Sequence, residues 1–202
     1  MALTNCYATL VQLKASLVIT DSTDDTRLEA AITAASRMID DYTSRFFYPD
    51  GTSTTPVILY FTPQSPDFVY VDDFTSLTEV ATDTASDKTY ATVWATTDYV
   101  IEPVNNPRQA KPYNQIIAFD RYQFLTDQIQ SVRVTGIWGW SAVPSVVSQA
   151  CLIQSSRLFS RAASPFGIAG SPDLGTVRLS ARLDPDVQVL LSSVTKPDGV
   201  VF

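Results

Sequence analysis

Residues 24–47 read DDTRLEAAITAASRMIDDYTSRFF, and their apolar side chains recur at spacings of four and three residues. Six positions share this spacing: Leu28, Ile32, Ala35, Ile39, Tyr42 and Phe46. It places them on one face of an α-helix of about five turns, with polar residues on the other sides. Thr23 or Asp24 can cap the start, and Pro49, Asp50 and Gly51 favour a turn that ends the helix. We therefore predict an amphipathic helix that buries one face.

Three further helices are predicted towards the ends of the chain. A long one covers residues 144–162, with proline in its first turn and a broad apolar surface. Two short ones cover residues 9–17 and 186–193, and Asp184 is the expected N-cap of the second. The two long helices are predicted to form the core of a small helical bundle, which the short N- and C-terminal helices complete.

Residues 56–135 are rich in β-branched and aromatic side chains, in short runs separated by turn-forming residues. Short strands at this spacing indicate an antiparallel sheet or a small sandwich. Residues 82–92 and 103–114 are predicted to be loops. The predicted fold class is therefore α+β: a small helical bundle core with a β-rich antiparallel insert. Residues 1–55 and 136–194 are the two helical parts of the core, residues 56–135 the insert, and residues 195–202 an extended tail.

The composition limits the class of protein. Of the 202 residues, 45% are hydrophobic, which is enough to form a core. No apolar run approaches the roughly 20 residues that cross a bilayer, so no contact with a membrane is predicted. The first residues lack the basic and apolar regions of a signal peptide. Cys6 and Cys151 are interpreted as free thiols.

Catalytic patterns are missing from the sequence. Histidine is absent, which removes the commonest general base and the commonest metal ligand. The adjacent acidic pairs do not alternate as the oxygen ligands of a calcium loop do, and no glycine-rich phosphate-binding pattern is present. Glu79 and Glu102 would suit a glycosidase, but solvated surface acids are the preferred interpretation. We predict no enzyme activity and no catalytic, metal or cofactor-binding residues.

Trp138 and Trp140 lie at alternate positions of a predicted strand and therefore face the same side. Large aromatic side chains dominate both cores and interfaces, so we interpret the pair as core or interface anchors. The alternative is a carbohydrate-binding module built on the β-rich region with exposed tryptophan or tyrosine side chains, which substitution of Trp94 and Trp138 would test.

Charge is distributed unevenly along the chain. Residues 1–106 carry 15 acidic and 5 basic residues, whereas residues 107–202 carry 6 and 9. This asymmetry suits subunits that pack through unlike surfaces, and the net charge of −7 argues against a general nucleic-acid binder. Four arginines are predicted to contact a neighbouring subunit or another partner: Arg157, Arg161, Arg178 and Arg182.

Several segments together resemble the head–tail connector (adaptor, or head-completion) proteins of tailed bacteriophages. The first are residues 7–14, YATLVQLK, and residues 28–47, LEAAITAASRMIDDYTSRFF. The others are VRVTGIWGW at residues 132–140, SRLFSR at residues 156–161, ASPFG at residues 163–167 and LDPDV at residues 183–187. They fall within residues 7–47 and 132–187, which together make up roughly half of the chain and lie towards both of its ends.

The resemblance implies a structural virion protein. Its copies would form a ring, typically of twelve subunits, that docks under the portal protein, extends the DNA channel and presents a surface to a stopper or tail-completion protein. Contact with the viral DNA would be passive, and the location would be the virion neck, after assembly in the host cytoplasm. The resemblance also implies a portal-docking tail: Lys196, Pro197, Asp198, Gly199, Val200, Val201 and Phe202. The alternative within this class is a tail-completion or tail-terminator ring protein.

Overall fold

The computed structural model describes residues 3–162, 168–169, 177–178 and 183–196. The helices there are α1 (Leu10–Leu17), α2 (Asp25–Thr43), α3 (Ser145–Ala162) and α4 (Pro185–Leu191), with a 3₁₀ turn at Asn106–Gln109. The strands are β1 (Pro49–Asp50), β2 (Val57–Phe61), β3 (Phe68–Thr82), β4 (Thr92–Trp94), β5 (Tyr99–Glu102), β6 (Tyr113–Ala118), β7 (Val132–Gly139), β8 (Ile168–Ala169) and β9 (Val177–Arg178). No helix in these ranges is long and apolar enough to span a membrane.

The chain divides into two compact units. One, the helical unit, comprises residues 3–46 together with the described part of residues 143–196, and the other, the sheet unit, is Phe47–Ala142. The helical unit is closed by contacts of α2 with α3, of α3 with α4, and of α1 with both α2 and α3. Its core is apolar, and several side chains have no exposed surface: Leu13, Leu28, Ile32, Ile39, Cys151, Val187 and Leu191.

Local sequence explains how the helices begin and end. Thr9 caps α1 in a capping box with Gln12, in which each side chain bonds the other residue's backbone N–H. Asp184 caps α4 by accepting a hydrogen bond from the backbone N–H of Asp186, as the sequence predicts. The long helix predicted from residues 24–47 is present but ends at Thr43, because Ser44 takes the left-handed conformation that terminates helices.

The sheet unit is built around one antiparallel sheet of seven strands. Its order is β1-β7-β3-β6-β5, and β2 also pairs with β7 while β4 pairs with β3. β3 has 15 residues and pairs with three strands, β4, β6 and β7. Its pairing register shifts between residues 70 and 74, between 74 and 76, and between 77 and 79, and such bulges bend a strand. Alternate residues of β7 are buried, and Trp138 lies in the core, where its ring contacts those of Phe61 and Phe74.

The predicted fold class, a helical bundle core with a β-rich insert, is wrong. Helices account for only 32% of the described residues, and the seven-stranded sheet is not an appendage on a helical core. The sheet has an aromatic core of its own within Phe47–Ala142, in which Phe47, Phe74 and Trp138 are fully buried. The strand β3 connects this sheet, because its 15 residues include two apolar runs that the sequence pattern separates.

Candidate assembly surfaces

The outer face of α1 is apolar. Val11 and Ala15 are one helical turn apart on the side of α1 opposite the fully buried Leu13, and Val18, the C-cap, follows three residues later. Val11 is 77% exposed and Val18 is 85% exposed. We name these three residues the α1 ridge. A helix that is apolar on opposite sides is typical of one that is covered on both.

Val18 also has an unusual backbone conformation. It is the C-cap of α1, with φ at 57° and ψ at 37°, and its N–H donates to the carbonyls of Lys14 and Ala15. This left-handed region suits glycine or asparagine, and a β-branched side chain there is strained by roughly 1–2 kcal/mol. The strained valine side chain is nonetheless held in an exposed position.

A groove runs along the outer side of α2 in the same unit. It has a volume of about 350 Å³, and its lining is mainly apolar. We name it the α2 groove, and its walls are Leu3, Thr26, Glu29, Ala30, Thr33, Ala34 and Arg37. Ala30 and Ala34 are one helical turn apart and exposed, so the backbone of α2 is open to close approach between them.

The N-terminal segment is held against α2 by polar contacts beside the α2 groove. The guanidinium of Arg37 donates to the carbonyl of Asn5 at 2.6 Å and pairs with the carboxylate of Asp40 at 3.2 Å. The hydroxyl of Tyr7 donates to the same carboxylate, and its backbone N–H donates to Ser36 Oγ at 3.1 Å. Burial raises the pKa of Asp40, while the hydrogen bond from Tyr7 and the charge of Arg37 act in the opposite direction.

Arg157, which the sequence predicts as a contact with a partner, lies in the helical unit. Its guanidinium forms an ion pair with Asp184, the N-cap of α4, and only 29% of its side chain is exposed. It therefore ties α3 to α4 within the subunit. Arg161 lies in the last turn of α3 and also has interactions within the chain.

Other predicted contact residues are only partly covered by the structure. Arg178 ends β9, whose backbone alone is described. Arg182 and Pro197–Phe202, the greater part of the predicted docking tail, lie outside the described residues. Lys196 is the last described residue, and its backbone N–H donates to the carbonyl of Thr43 at 3.1 Å. Lys196, the first residue of the predicted tail, thus lies at the C-terminal end of α2.

All three tryptophans are buried, and for Trp138 and Trp140 the structure selects the core from the two roles, core or interface, that the sequence predicts. Trp138 has no exposed surface and donates from its indole nitrogen to the carbonyl of Val57 at 3.0 Å. Trp140 is buried and donates to Asp73 at 3.0 Å. Trp94 is buried against the ring of Phe124. A carbohydrate platform requires exposed rings, so neither Trp94 nor Trp138 can provide one.

The acidic residues have structural partners rather than a shared site. Glu79 accepts from Arg133 at 2.8 Å, and Glu102 accepts from the backbone N–H of Val104 at 2.6 Å. Asp83 accepts from the backbone N–H groups of Asp87 and Lys88 and so holds its own loop. Among the described residues, no three acidic or cysteine side chains are grouped as metal ligands.

Sequence reasoning missed both the α1 ridge and the α2 groove. The signal for the ridge was present, because Val11 and Ala15 have helical spacing opposite Leu13 and Val18 follows three residues later. The groove has no such signal. Its small residues read as the polar, solvated side of an amphipathic helix, and its shape depends on Leu3 approaching from another segment.

Comparison with known proteins agrees with the resemblance that the sequence shows. Residues 7–64, which include α1, α2 and β2, match the family described as "Phage gp6-like head-tail connector protein". This match confirms the predicted resemblance to head–tail connectors. No curated protein sequence matches the chain.

Two solved structures share the fold over the whole chain. One is a chain of the "Neck of empty GTA particle computed with C6 symmetry", with a TM-score of 0.59 and 13% identity. The other is a chain of the "Neck of native GTA particle computed with C12 symmetry", with a TM-score of 0.56 and 14% identity. Each alignment covers 100% of this chain and 96% of the other.

Proposed function

We propose that this chain is a structural subunit of a virion neck, a head–tail connector whose copies form a ring between the portal protein and the tail. The observation that carries the proposal is the match of residues 7–64 to the head–tail connector family. The fold shared with chains of GTA particle necks supports it, because that likeness extends over both units of this chain.

A ring of twelve copies is the proposed assembly. The C12 symmetry named for one of the structurally similar necks supports this number. A ring needs two different lateral surfaces on each subunit, and the helical unit has an exposed apolar ridge and a separate apolar groove. The role is mechanical: the ring continues the channel for DNA, touches that DNA passively and offers a surface to a stopper or tail-completion protein. It requires no catalytic group.

Portal docking is assigned to residues 196–202. Lys196 is hydrogen-bonded to Thr43, so the following residues start from a defined point on the helical unit. Three of them, Val200, Val201 and Phe202, are apolar, and short extended segments dock when their side chains enter pockets of a partner. Arg157 and Arg161 are given a secondary part in this contact, because both already interact within the chain.

Electron microscopy of the full chain, alone and mixed with the portal protein of the same particle, tests the function. We expect closed rings stacked coaxially on the portal. A chain that ends at Lys196 should keep its helical and sheet content by circular dichroism and lose portal binding. The matched control replaces only Asp198 with Asn and should bind. Rings that bind tail tubes and ignore the portal would favour a tail-terminator, and undiminished binding by the shortened chain would contradict the docking role of the tail.

A further inference from the structure

We propose that the α1 ridge of one subunit docks into the α2 groove of the next and forms the lateral contact of the ring. The occupant of the groove is thus a second copy of this chain. The inference rests on the proposed function, because the ring itself is part of that proposal. What is new is the identity of the two surfaces that contact each other in the ring. Both surfaces lie in the helical unit, and all but Leu3 belong to the segment that matches the connector family.

The two surfaces are different, which decides the geometry of assembly. A contact between unlike patches is heterologous, so every copy keeps one free ridge and one free groove until the ring closes. A contact of the ridge with another ridge would instead stop at a dimer. Repetition of a ridge-in-groove contact by a constant rotation yields a closed ring.

The dimensions of the ridge fit those of the groove. Val11 and Val18 are separated by seven residues of helix, about 10 Å, and the groove extends from Thr26 to Arg37, about 16 Å. The small side chains of Ala30 and Ala34 let an approaching helix come close to the backbone of α2. A volume of about 350 Å³ is in the range of pockets that enclose whole ligands, so the valine side chains can be accommodated.

Charge complementarity sets the direction of the docked helix. Glu29 stands near the N-terminal end of the groove and Arg37 at its C-terminal end. A helix carries partial positive charge at its N-terminus and partial negative charge at its C-terminus. The favourable arrangement therefore places the Thr9 end of α1 near Glu29 and the Val18 end near Arg37, whose charge Asp40 offsets in part, with α1 parallel to the neighbour's α2.

Val18 shares the left-handed conformation with eight other non-glycine residues of the described ranges, and among these nine it alone leaves a large apolar side chain exposed, which favours a partner on this face. A β-branched residue in the left-handed region destabilises the isolated subunit, and an exposure of 85% leaves little packing within the chain to offset that. Glycine or asparagine would relieve the strain. Burial of the valine side chain in a neighbour's groove supplies the compensating gain, which only the assembled ring obtains.

Substitutions at exposed valines provide the first test. The variants are Val11→Asn, Val18→Asn and, as a matched control, Val189→Asn, which changes a valine that is 73% exposed on α4 of the same unit. Asparagine suits the left-handed conformation at residue 18, so the fold is retained there. Ring formation by the full chain is followed by native mass spectrometry and sedimentation velocity over a concentration series, in the presence and absence of portal.

We expect each ridge variant to require at least tenfold more protein for ring formation, and Val189→Asn to behave as the unmodified chain. Ala34→Glu, which puts a charge into the groove, should have the same effect as the ridge variants. Ring formation that is equally strong in all four variants would overturn the inference while the connector function stands. A chain that forms no ring, alone or on the portal, would instead overturn the function itself.

Disulfide trapping tests the partner and the direction of docking. In a Cys6→Ser background, one chain carries Val18→Cys and a second carries either Ala34→Cys or Thr26→Cys. Because Cys151 is fully buried, the introduced thiols are the accessible ones. Parallel docking predicts that mixed oxidation links residue 18 to residue 34 and not to residue 26. Preferential linkage to residue 26, or the absence of linked dimers in rings, would refute the proposed contact.

Discussion

Gly136 lies in β7 between β2 and β3, where the strands approach closely. A Cβ atom added to Gly136 would be 2.5 Å from the carbonyl oxygen of Ser76 and 3.0 Å from Cδ2 of Leu77. The first contact is with backbone, which cannot rotate away as the end of a side chain can. Gly136→Ala must therefore push β3 away from β7 at the point where β3 bulges.

The expected loss of stability follows from that displacement. Overpacking of a well-filled site costs about 1–3 kcal/mol. Alanine also restricts the unfolded chain, which returns about 0.4–1 kcal/mol. For a clash with backbone we take the upper part of the first range and expect a net loss of about 2 kcal/mol. In a chain of this length that lowers Tm by about 4–8 °C.

Tryptophan fluorescence is the appropriate assay. The three tryptophans of the chain, Trp94, Trp138 and Trp140, all lie in the sheet unit, so their emission reports the unfolding of that unit. The matched control is Thr78→Ala, at an exposed position of β3 beside the same bulge, which should change stability by no more than about 0.5 kcal/mol. If Gly136→Ala is as stable as this control, the close approach of β3 and β7 does not limit the stability of the sheet, and the reasoning fails.

Three further substitutions have defined expectations. Trp138→Phe removes the hydrogen bond to the carbonyl of Val57 and should destabilise the sheet unit by about 1–3 kcal/mol in urea unfolding. Asp184→Ala removes the cap of α4 and the partner of Arg157, so the helical unit should lose about 1–2 kcal/mol, as measured by circular dichroism. Folding raises the pKa of Asp40, so the folded state favours the protonated carboxyl. The resulting contribution to the free energy of unfolding is complete below the unfolded pKa of 3.8 and is lost as pH rises through the folded pKa. Asp40→Asn should therefore match the unmodified chain at pH 3 and exceed its stability at pH 7, by less than about 1 kcal/mol; a variant less stable at pH 7 would contradict this.

The helices were accessible to sequence reasoning because their apolar residues repeat at the helical period. Leu28, Ile32, Ala35 and Ile39 are buried on one face of α2, as the pattern predicts. The prediction was wrong at the end of that helix: Tyr42 is 40% exposed, and Phe46 lies beyond the last turn. The left-handed conformation of Ser44 ends α2, and no glycine or proline marks it.

The longer strands were predicted as separate runs, whereas β1, β4 and the joining of two runs into β3 were not. Residues 68–71 and 77–80 read as two strands because Asp72 and Asp73 interrupt the apolar run. In the sheet they are one strand, β3, and Asp73 is buried where it accepts a hydrogen bond from Trp140. β4 was not predicted: only Thr92 falls in the loop predicted at residues 82–92, and a strand of three residues is recognisable only from its pairing with residues 80–82 of β3.

The candidate surfaces show the same division. The helical spacing of apolar residues on α1 is visible in the sequence. The α2 groove, in contrast, exists because Leu3 lies beside Ala30 and Ala34 of α2, about 30 positions further along the chain. The pairing of Arg157 with Asp184 is another case, because residues 27 positions apart meet only when α4 packs on α3. A cation that reads as a free surface charge is thereby used inside the subunit.

The sequence by itself determined the four helices, the β character of residues 56–135 and the resemblance to head–tail connectors. Each depends on local spacing or on residue type, which act over a few residues. The tertiary structure alone decided that a seven-stranded sheet forms a unit of its own and that a ridge and a groove stand on one helical unit. Strand pairing and surface shape arise from contacts between residues far apart in the chain, whose register is set by the bulges of β3 and by packing rather than by any local pattern.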